Sequence, residues 1–189
     1  MSVAPHPEWP TPPIGGWTAE DLDRLPNLPP HTELIDGSLV FVSPQTIFHS
    51  WAMNLLRNGL ASAVPPGWEA WQEMTVVLGP RNRPEPDLVV VRAEARTGLE
   101  QTAFLPEDVL LAVEVVSPDS VERDRDAKPR KYAAAGIRYF WRVENDEGRA
   151  VVYCYELDPA TRAYGVPAIH HDVLKLDHPF PLEIDLTFR

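Results

Sequence analysis

The chain has 189 residues and a formal net charge of −11, from 17 Lys or Arg against 28 Asp or Glu. The length predicts one domain, and a hydrophobic content of 44% is enough to form a core. The acidity argues against a protein that coats nucleic acid regardless of sequence, because such proteins draw most of their affinity from Lys and Arg on phosphates.

The sequence predicts no targeting segment and no membrane span. The first residues lack a charged n-region followed by an apolar h-region. Polar side chains interrupt the longest uncharged stretch, residues 37–56, which is therefore not a spanning helix. Cys154 is the single cysteine, so no internal disulfide can form. We expect a cytoplasmic protein with no membrane partner.

Eight of the 21 prolines fall in the first 30 residues. Because residues 1–16 show neither helical nor strand periodicity, we expect an extended Pro-rich arm there and a single domain over residues 17–189. Thr18 and Asp21 have the spacing of a capping box, which predicts a short helix that ends before Pro26.

Local signals predict a hairpin and a helix in the next part of the chain. Asp36-Gly37 lies between two β-rich runs within residues 32–43, and this dipeptide supplies the positive φ angles of a tight hairpin. From Phe48 to Ala63, apolar residues recur at intervals of three and four, which is typical of an amphipathic helix.

The rest of the chain is rich in strand-like runs. The runs at residues 87–92 and 109–116 are apolar on both faces, as central strands are. A charged stretch, residues 119–131, leads into a helix that we expect to end at Gly136. Further strand-like runs cover residues 68–78, 137–143, 150–157, 173–176 and 182–188, with a turn predicted at residues 145–148. The order hairpin, α, β, β, β, α, β, β predicts one α/β domain.

Three residues in this order point to phosphodiester hydrolysis: Asp87, Glu114 and Lys128. Two carboxylates on adjacent strands bind a hard divalent cation such as Mg²⁺ or Mn²⁺, which prefers oxygen ligands and keeps positions open for a phosphate. A nearby lysine stabilises developing charge or orients the attacking water. Glu114 is the most informative of the three, because an unpaired charge within an apolar strand is costly.

Each of these residues also has a purely structural interpretation. Asp87 would make a turn hydrogen bond, and a second Pro-Asp dipeptide at Pro118-Asp119 shows that the dipeptide alone proves little. Glu114 would pair with an arginine such as Arg138. Lys128 would be a solvated lysine in a charged run.

As a set, these motifs resemble the Uma2 family of restriction-endonuclease-like proteins, within the PD-(D/E)xK nuclease superfamily. The resemblance covers roughly residues 32–144. It implies an α/β fold with a restriction-endonuclease-like αβββαβ core, a central mixed sheet, an N-terminal hairpin and additional C-terminal strands. The motifs that carry it are TELIDGSLVFVSPQTIFH, PEPDLVVV, LAVEVVSPDS and DRDAKPRKYAAAGIRYFWRV.

The resemblance also implies roles for individual residues. Asp87 and Glu114 match the family's metal-binding acids, and Lys128 matches the lysine that arrives from the following helix. Glu33 and His49 match family positions near the site, although a histidine on an apolar helix face is as often a hydrogen-bonded core residue.

The chain departs from the family pattern at Pro129, directly after Lys128. Because proline is unfavourable within a helix and restricts its predecessor, either the helix begins at about Lys128, with Asp126 near its cap, or Lys128 is held unusually. Lys131 is the second candidate for the catalytic lysine.

The leading prediction is a Mg²⁺- or Mn²⁺-dependent endonuclease that hydrolyses DNA, acting as a homodimer because two strands call for two sites. The alternatives are a non-catalytic binding or assembly module of the same fold, or a phosphodiesterase that acts on RNA or a small substrate. Residues 81–142 hold 11 basic and 11 acidic residues, so the excess acidity lies outside the predicted site. We therefore expect weak, salt-sensitive association with DNA.

Overall fold

The structure, a computed structural model, describes residues 11–187, so the first ten residues of the predicted arm lie outside the described residues. No helix within this described range is long and apolar enough to cross a membrane. The helices and strands, in chain order, are α1 (Ala19–Leu22), β1 (Glu33–Ile35), β2 (Ser38–Val40), α2 (Ile47–Ala63), β3 (Trp68–Gln72), β4 (Thr75–Val76), β5 (Leu88–Arg92), β6 (Ala103–Phe104), β7 (Val109–Val115), α3 (Lys128–Ala134), β8 (Tyr139–Asp146), β9 (Arg149–Asp158), β10 (Ala163–Tyr164), β11 (Ala168–His170), β12 (Val173–Leu176) and β13 (Leu182–Asp185).

The N-terminal hairpin turns at Asp36-Gly37, which confirms the prediction. β1 and β2 pair antiparallel, with Ile35 opposite Ser38. Asp36 and Gly37 have φ angles of 52° and 80°, the left-handed values of a type I′ turn. The backbone N–H of Trp17 donates to the Gly37 carbonyl at 2.8 Å, so the start of the domain lies against this turn.

A mixed sheet forms the centre of the molecule, with strand order β10-β9-β8-β7-β5-β3 and with β11 paired to β9. β7 and β8 are parallel, whereas the other neighbours are antiparallel. A parallel pair needs a crossover connection, and the helical segment over residues 121–134 supplies it. This architecture confirms the predicted α/β class with a central mixed sheet.

Both faces of the sheet are buried, because the central strands alternate between two apolar layers. One layer packs the sheet against α2 and the β12-β13 hairpin, and the other packs it against α3. Leu88, Val90, Leu111 and Val113 belong to the first layer, whereas Val89, Val91, Ala112 and Phe140 belong to the second.

α2 approaches β13 closely at Gly59. A Cβ atom added at Gly59 would clash with the side chain of Ile184. A glycine within a helix is unfavourable on its own, and this close contact explains why the chain has one here.

The segment before α3 differs from the simple helix start that Pro129 suggested. Residues 121–122 are α-helical, residues 123–127 form a π-helical turn, and α3 then begins at Lys128. The Lys128 N–H donates to the Arg123 carbonyl, an i to i−5 bond. Asp126 does not cap the helix, because its carboxylate pairs with Arg130 at 2.6 Å. The wider turn accommodates the proline, which lacks an N–H and clashes with a regular preceding turn.

Three further expectations are corrected by the structure. The strand predicted over residues 68–78 is interrupted at Glu73, which has a left-handed φ of 51° and separates β3 from β4. The turn predicted at residues 145–148 is shorter, because β8 and β9 pair as far as Asp146 and Arg149. The strand predicted over residues 182–188 ends at Asp185, and it pairs with β12 as a C-terminal hairpin.

Candidate active site

The register of the central strands brings the two predicted metal-binding acids together. Leu88 of β5 lies opposite Val113 of β7, so Asp87, at the head of β5, lies beside Glu114. The Asp87 carboxylate confirms this proximity, because its Oδ2 atom accepts a hydrogen bond from the backbone N–H of Val115 at 2.6 Å.

Lys128 lies at the centre of a buried group of charges. Its Nζ atom is 2.9 Å from Glu33 Oε1, 2.9 Å from Glu114 Oε2 and 3.4 Å from Asp124 Oδ1. All four side chains are buried. We call Lys128, Glu33, Glu114 and Asp124 the lysine cluster.

Three different parts of the chain build the lysine cluster. The N-terminal hairpin supplies Glu33, whose Oε1 atom also accepts from the backbone N–H of Glu85 at 2.8 Å. The central strand β7 supplies Glu114, and the helical segment supplies Asp124 and Lys128 with the i, i+4 spacing of one helix face.

The electrostatics of the lysine cluster follow from burial and crowding. Burial alone would lower the pKa of Lys128, but the charges of Glu114, Glu33 and Asp124 outweigh it and raise this pKa well above its usual value. Burial raises the pKa of Glu114 well above its usual value, and Lys128 opposes this shift only in part. The pKa of Asp124 is raised for the same reason. One ammonium therefore does not balance the surrounding carboxylates.

Tyr132 fixes the second oxygen of Glu114. Its hydroxyl, one helical turn after Lys128, donates to Glu114 Oε1 at 2.5 Å. Burial, together with the nearby carboxylates Glu114 and Glu33, raises the pKa of Tyr132 well above its usual value, so the hydroxyl keeps its proton. Both oxygens of Glu114 thus have a donor, which sets the orientation of the carboxylate.

His49 contacts the other predicted metal-binding acid. Its Nε2 atom is 3.0 Å from Asp87 Oδ1, while its buried Nδ1 atom has no hydrogen-bond partner among the described residues. Burial lowers the pKa of His49, but the hydrogen bond and the charge of Asp87 outweigh this effect and raise it. His49 therefore supports Asp87 from α2.

The donor atoms fit a hard divalent cation. Asp87 and the three carboxylates of the lysine cluster carry a formal charge of −4 against +1 on Lys128, and such an excess is unfavourable in a buried site without a further cation. Carboxylate oxygens are the ligands that Mg²⁺ prefers, and Asp124 Oδ1 is buried without a hydrogen bond. Over residues 11–187, no group of three or more His, Cys, Asp or Glu side chains is already arranged as a metal site.

The site opens through two adjoining clefts. The inner cleft has a volume of about 40 Å³, and the outer one about 400 Å³. Asp87 and Glu85 line both clefts, so the two clefts adjoin at these carboxylates. The inner cleft is also lined by Ser117, Ser120 and Arg123, whose Nε atom has no hydrogen-bond partner among the described residues.

Lys131 and Arg138 lie in other surroundings. The Nζ atom of Lys131 is 2.5 Å from Asp36 Oδ1, at the turn of the N-terminal hairpin. Arg138 pairs with Glu156 at 3.1 Å, whereas Glu114 contacts Lys128 and Tyr132. Of the two candidate lysines, Lys128 is the one that the structure places beside Glu114.

Comparisons with known proteins identify the family of the chain. The model of the Uma2 family, whose description is "Putative restriction endonuclease", matches residues 19–189. The chain belongs to the Uma2 family. This membership supports a nuclease, that is, a hydrolase acting on nucleic acid.

A solved structure shares the fold of this Uma2 chain. A putative nuclease belonging to DUF820 from Anabaena variabilis ATCC 29413 is 19% identical, with a TM-score of 0.68 over 86% of this chain and 89% of that chain. This likeness confirms the nuclease-like fold. The cAAA-bound form of NucC from P. aeruginosa ATCC27853 is 11% identical, with a TM-score of 0.36 over 68% of this chain and 85% of that chain. No curated protein matches the chain.

Two residues of this Uma2 site were not predicted from the sequence, Asp124 and Tyr132. Both lie four residues from Lys128, on its two sides, so the three side chains share one helix face. The i±4 spacing could have identified both residues in the sequence, because a helix that directs Lys128 toward Glu114 directs the residues four positions before and after it to the same side.

Proposed function

We propose that this protein is a Mg²⁺- or Mn²⁺-dependent endonuclease that hydrolyses phosphodiester bonds of DNA. Asp87 and Glu114 would hold the metal ion, and Lys128 would stabilise developing charge or orient the attacking water. The observation that carries the proposal is the buried lysine cluster beside Asp87, at the base of an open cleft.

A bound divalent cation would polarise the phosphate and lower the pKa of a bound water. The protein itself contributes orientation. Val115 and His49 fix Asp87, and Tyr132 fixes Glu114. The charges of Glu114, Glu33 and Asp124 raise the pKa of Lys128 and keep it protonated. Arg123, which lines the same cleft, offers a further positive charge for the substrate phosphate.

The burial of these charges also favours catalysis over a purely structural use of the fold. Several buried carboxylates around one lysine are expensive to maintain, and well-packed apolar residues would stabilise a binding or assembly module at least as well. Charges retained in this way, at the base of a cleft, are typical of functional sites.

Plasmid nicking tests the proposal. Purified protein should convert supercoiled DNA to the open circular form in Mg²⁺ or Mn²⁺, and Asp87→Asn should abolish this activity. Asp119→Asn is the matched control, because Asp119 also follows a proline but is exposed. If wild type and Asp87→Asn nick equally at every metal concentration, the proposal is wrong.

Calorimetric titration with Mn²⁺ tests the metal site separately from the reaction. Wild type should bind Mn²⁺, Glu114→Gln should bind it much more weakly, and Asp119→Asn should resemble wild type. Absence of Mn²⁺ binding by the wild type would favour the non-catalytic module.

We also propose a homodimer, because cleavage of both strands of a duplex calls for two sites and two-fold symmetry is the commonest arrangement. Sedimentation velocity distinguishes a dimer from a monomer. A monomer at all accessible concentrations would contradict the proposal.

A further inference from the structure

A groove rich in arginine and tyrosine lies on the outer side of the helical segment that carries Lys128. Its volume is about 460 Å³. Three arginines and two tyrosines dominate its lining, and we call this set the arginine groove: Arg125, Arg130, Arg162, Tyr155 and Tyr164.

The arginine groove is positive in an acidic protein. With Asp126, which is the one acidic residue among its described lining residues, the formal charge of the lining is +2, whereas the whole chain carries −11. The lining of the arginine groove is thus opposite in sign to the chain as a whole, which is the pattern expected where a polyanion binds.

The ion pairs that involve two of these arginines, Arg130 and Arg125, differ in their exposure. The side chains of Arg130 and Asp126 pair at 2.6 Å while remaining 71% and 62% exposed. Arg125 pairs with Glu144, but Arg142 lies 2.8 Å from the same carboxylate and would neutralise it alone. The Arg130–Asp126 pair is exposed and therefore worth little, so a phosphate would compete for Arg130. Arg125 makes two hydrogen bonds to the mostly buried Glu144, and Arg142 can stay paired with that carboxylate when Arg125 turns to a phosphate.

The base of the arginine groove is rigid. Tyr155 and Tyr164 each stack on Phe140 with ring centroids 5.6 Å apart. The Tyr164 hydroxyl donates to the Ile137 carbonyl at 2.9 Å. Because Phe140 is fully buried, the arginines are attached around a fixed aromatic base.

A third cavity lies between the arginine groove and the catalytic cleft and shares one lining residue with each. Arg125 also lines this third cavity, of about 230 Å³, and Ser117 lines both this cavity and the inner cleft at Asp87. A chain of lining residues therefore leads from the predicted metal ligands along the surface to the arginine groove.

We propose that the arginine groove binds the phosphate backbone of the DNA strand on one side of the bond that is cut. This inference rests on the proposed endonuclease function, since it assigns the path of that substrate. Three separate guanidinium groups suit successive phosphates, which accept paired N–H donors.

Fluorescence anisotropy with a labelled 20-nucleotide DNA duplex tests the inference without any cleavage. The full chain is measured in EDTA, so that the result is independent of the metal site. The double variant Arg130→Gln/Arg162→Gln should bind the duplex about tenfold more weakly at low salt. In a plot of the logarithm of the binding constant against the logarithm of the salt concentration, its slope should be shallower than that of wild type by the equivalent of about two phosphate contacts.

Matched variants separate phosphate recognition from damage to the fold. Arg24→Gln/Arg57→Gln removes the same charge from exposed positions outside the arginine groove and should bind as wild type does. Arg130→Lys/Arg162→Lys keeps the charge and should retain most of the affinity. If the groove variant and the Arg24/Arg57 control lose affinity equally, the inference is wrong.

The outcomes also separate this inference from the proposed function. Metal-dependent nicking by the wild type, with DNA affinity unaffected by the groove substitutions, overturns the inference alone. Weaker binding by the groove variant supports the inference, even where Asp87→Asn leaves nicking unchanged and the endonuclease proposal fails. Competition by polyglutamate as strong as that by unlabelled DNA would overturn it in favour of an acidic protein partner.

Discussion

Two pairs of opposite charge lie on the same helical segment, two residues apart, and they differ in almost every physical respect. Asp124 with Lys128 and Asp126 with Arg130 are both i, i+4 pairs. The first pair is buried against the central sheet, where side-chain exposures are 2% and 5%, whereas the second lies at the surface.

Burial changes what the same spacing means. At the surface, an aspartate and an arginine that pair give up hydrogen bonds to water, so the pair adds little to the free energy of unfolding. In the interior, the charges of the lysine cluster have lost their hydration, and each depends on the others for compensation. The inner pair therefore belongs to the site, while the outer pair leaves its arginine available for a ligand.

Removal of Lys128 should have the largest effect on stability. We expect Lys128→Met to lower the free energy of unfolding by about 3–5 kcal/mol at pH 7, because it leaves buried carboxylates without a cation. Urea unfolding measures this change. Lys131→Met is the matched control, since Lys131 pairs with the mostly exposed Asp36, and it should lower stability by less than about 1 kcal/mol.

The loss in Lys128→Met should depend on pH. Folding raises the pKa values of Glu114 and Asp124, so the folded protein binds more protons than the unfolded chain. Stability from these groups is therefore present at low pH and is lost as the pH rises through the raised folded pKa values. We expect Lys128→Met to recover stability relative to wild type as the pH falls from about 7 towards 5. A pH-independent difference between the two proteins would contradict this account.

His49 should have the next largest effect, on metal binding. His49→Ala removes the hydrogen-bonding partner of Asp87 Oδ1, and loss of such support typically lowers metal affinity about 10–100-fold. Calorimetry with Mn²⁺ measures it. His49→Gln, which keeps an N–H donor near the same place, should lose less Mn²⁺ affinity than His49→Ala. Equal affinities for wild type and both variants would show that Asp87 needs no support from α2.

Removal of the Tyr132 hydroxyl tests how much one hydrogen bond contributes within the buried lysine cluster. Tyr132→Phe leaves Glu114 Oε1 without its hydroxyl partner, and we expect a loss of about 1–3 kcal/mol in urea unfolding. Tyr139→Phe is the control, because the Tyr139 ring is also buried but its hydroxyl contacts the half-exposed Glu156 at 3.3 Å. We expect this control to lose less than about 0.5 kcal/mol of the free energy of unfolding. Equal losses for Tyr132→Phe and Tyr139→Phe would show that burial of the carboxylate partner makes no difference.

Elements determined by local backbone chemistry were predictable from the sequence. The turn at Asp36-Gly37 requires positive φ angles that this dipeptide readily supplies, and the apolar runs of β5 and β7 require burial on both faces. Glu114 was predictable as a buried group in need of a partner, because a carboxylate in such a strand has few alternatives.

Features that depend on packing between elements were not predictable in the same way. Asp124 and Asp126 are both aspartates four residues before a basic residue, and only the position of the helical segment on the sheet decides which one is buried. The π-helical turn that accommodates Pro129 also aligns Asp124 with Lys128. Likewise, Glu73 interrupts a run that is otherwise typical of one strand, and its left-handed backbone has no signal in the residue type.

The smallest effect is expected for the outer pair. A double-mutant cycle with Asp126→Asn and Arg130→Gln should give a coupling free energy of about 0.3–0.5 kcal/mol in urea unfolding, falling further at high salt. The same cycle with Asp124→Asn and Lys128→Met should give a coupling several times larger, because both partners are desolvated. A coupling above about 1 kcal/mol for the outer pair would mean that Arg130 is held by Asp126. The arginine groove would then lose one of the cations on which phosphate binding depends.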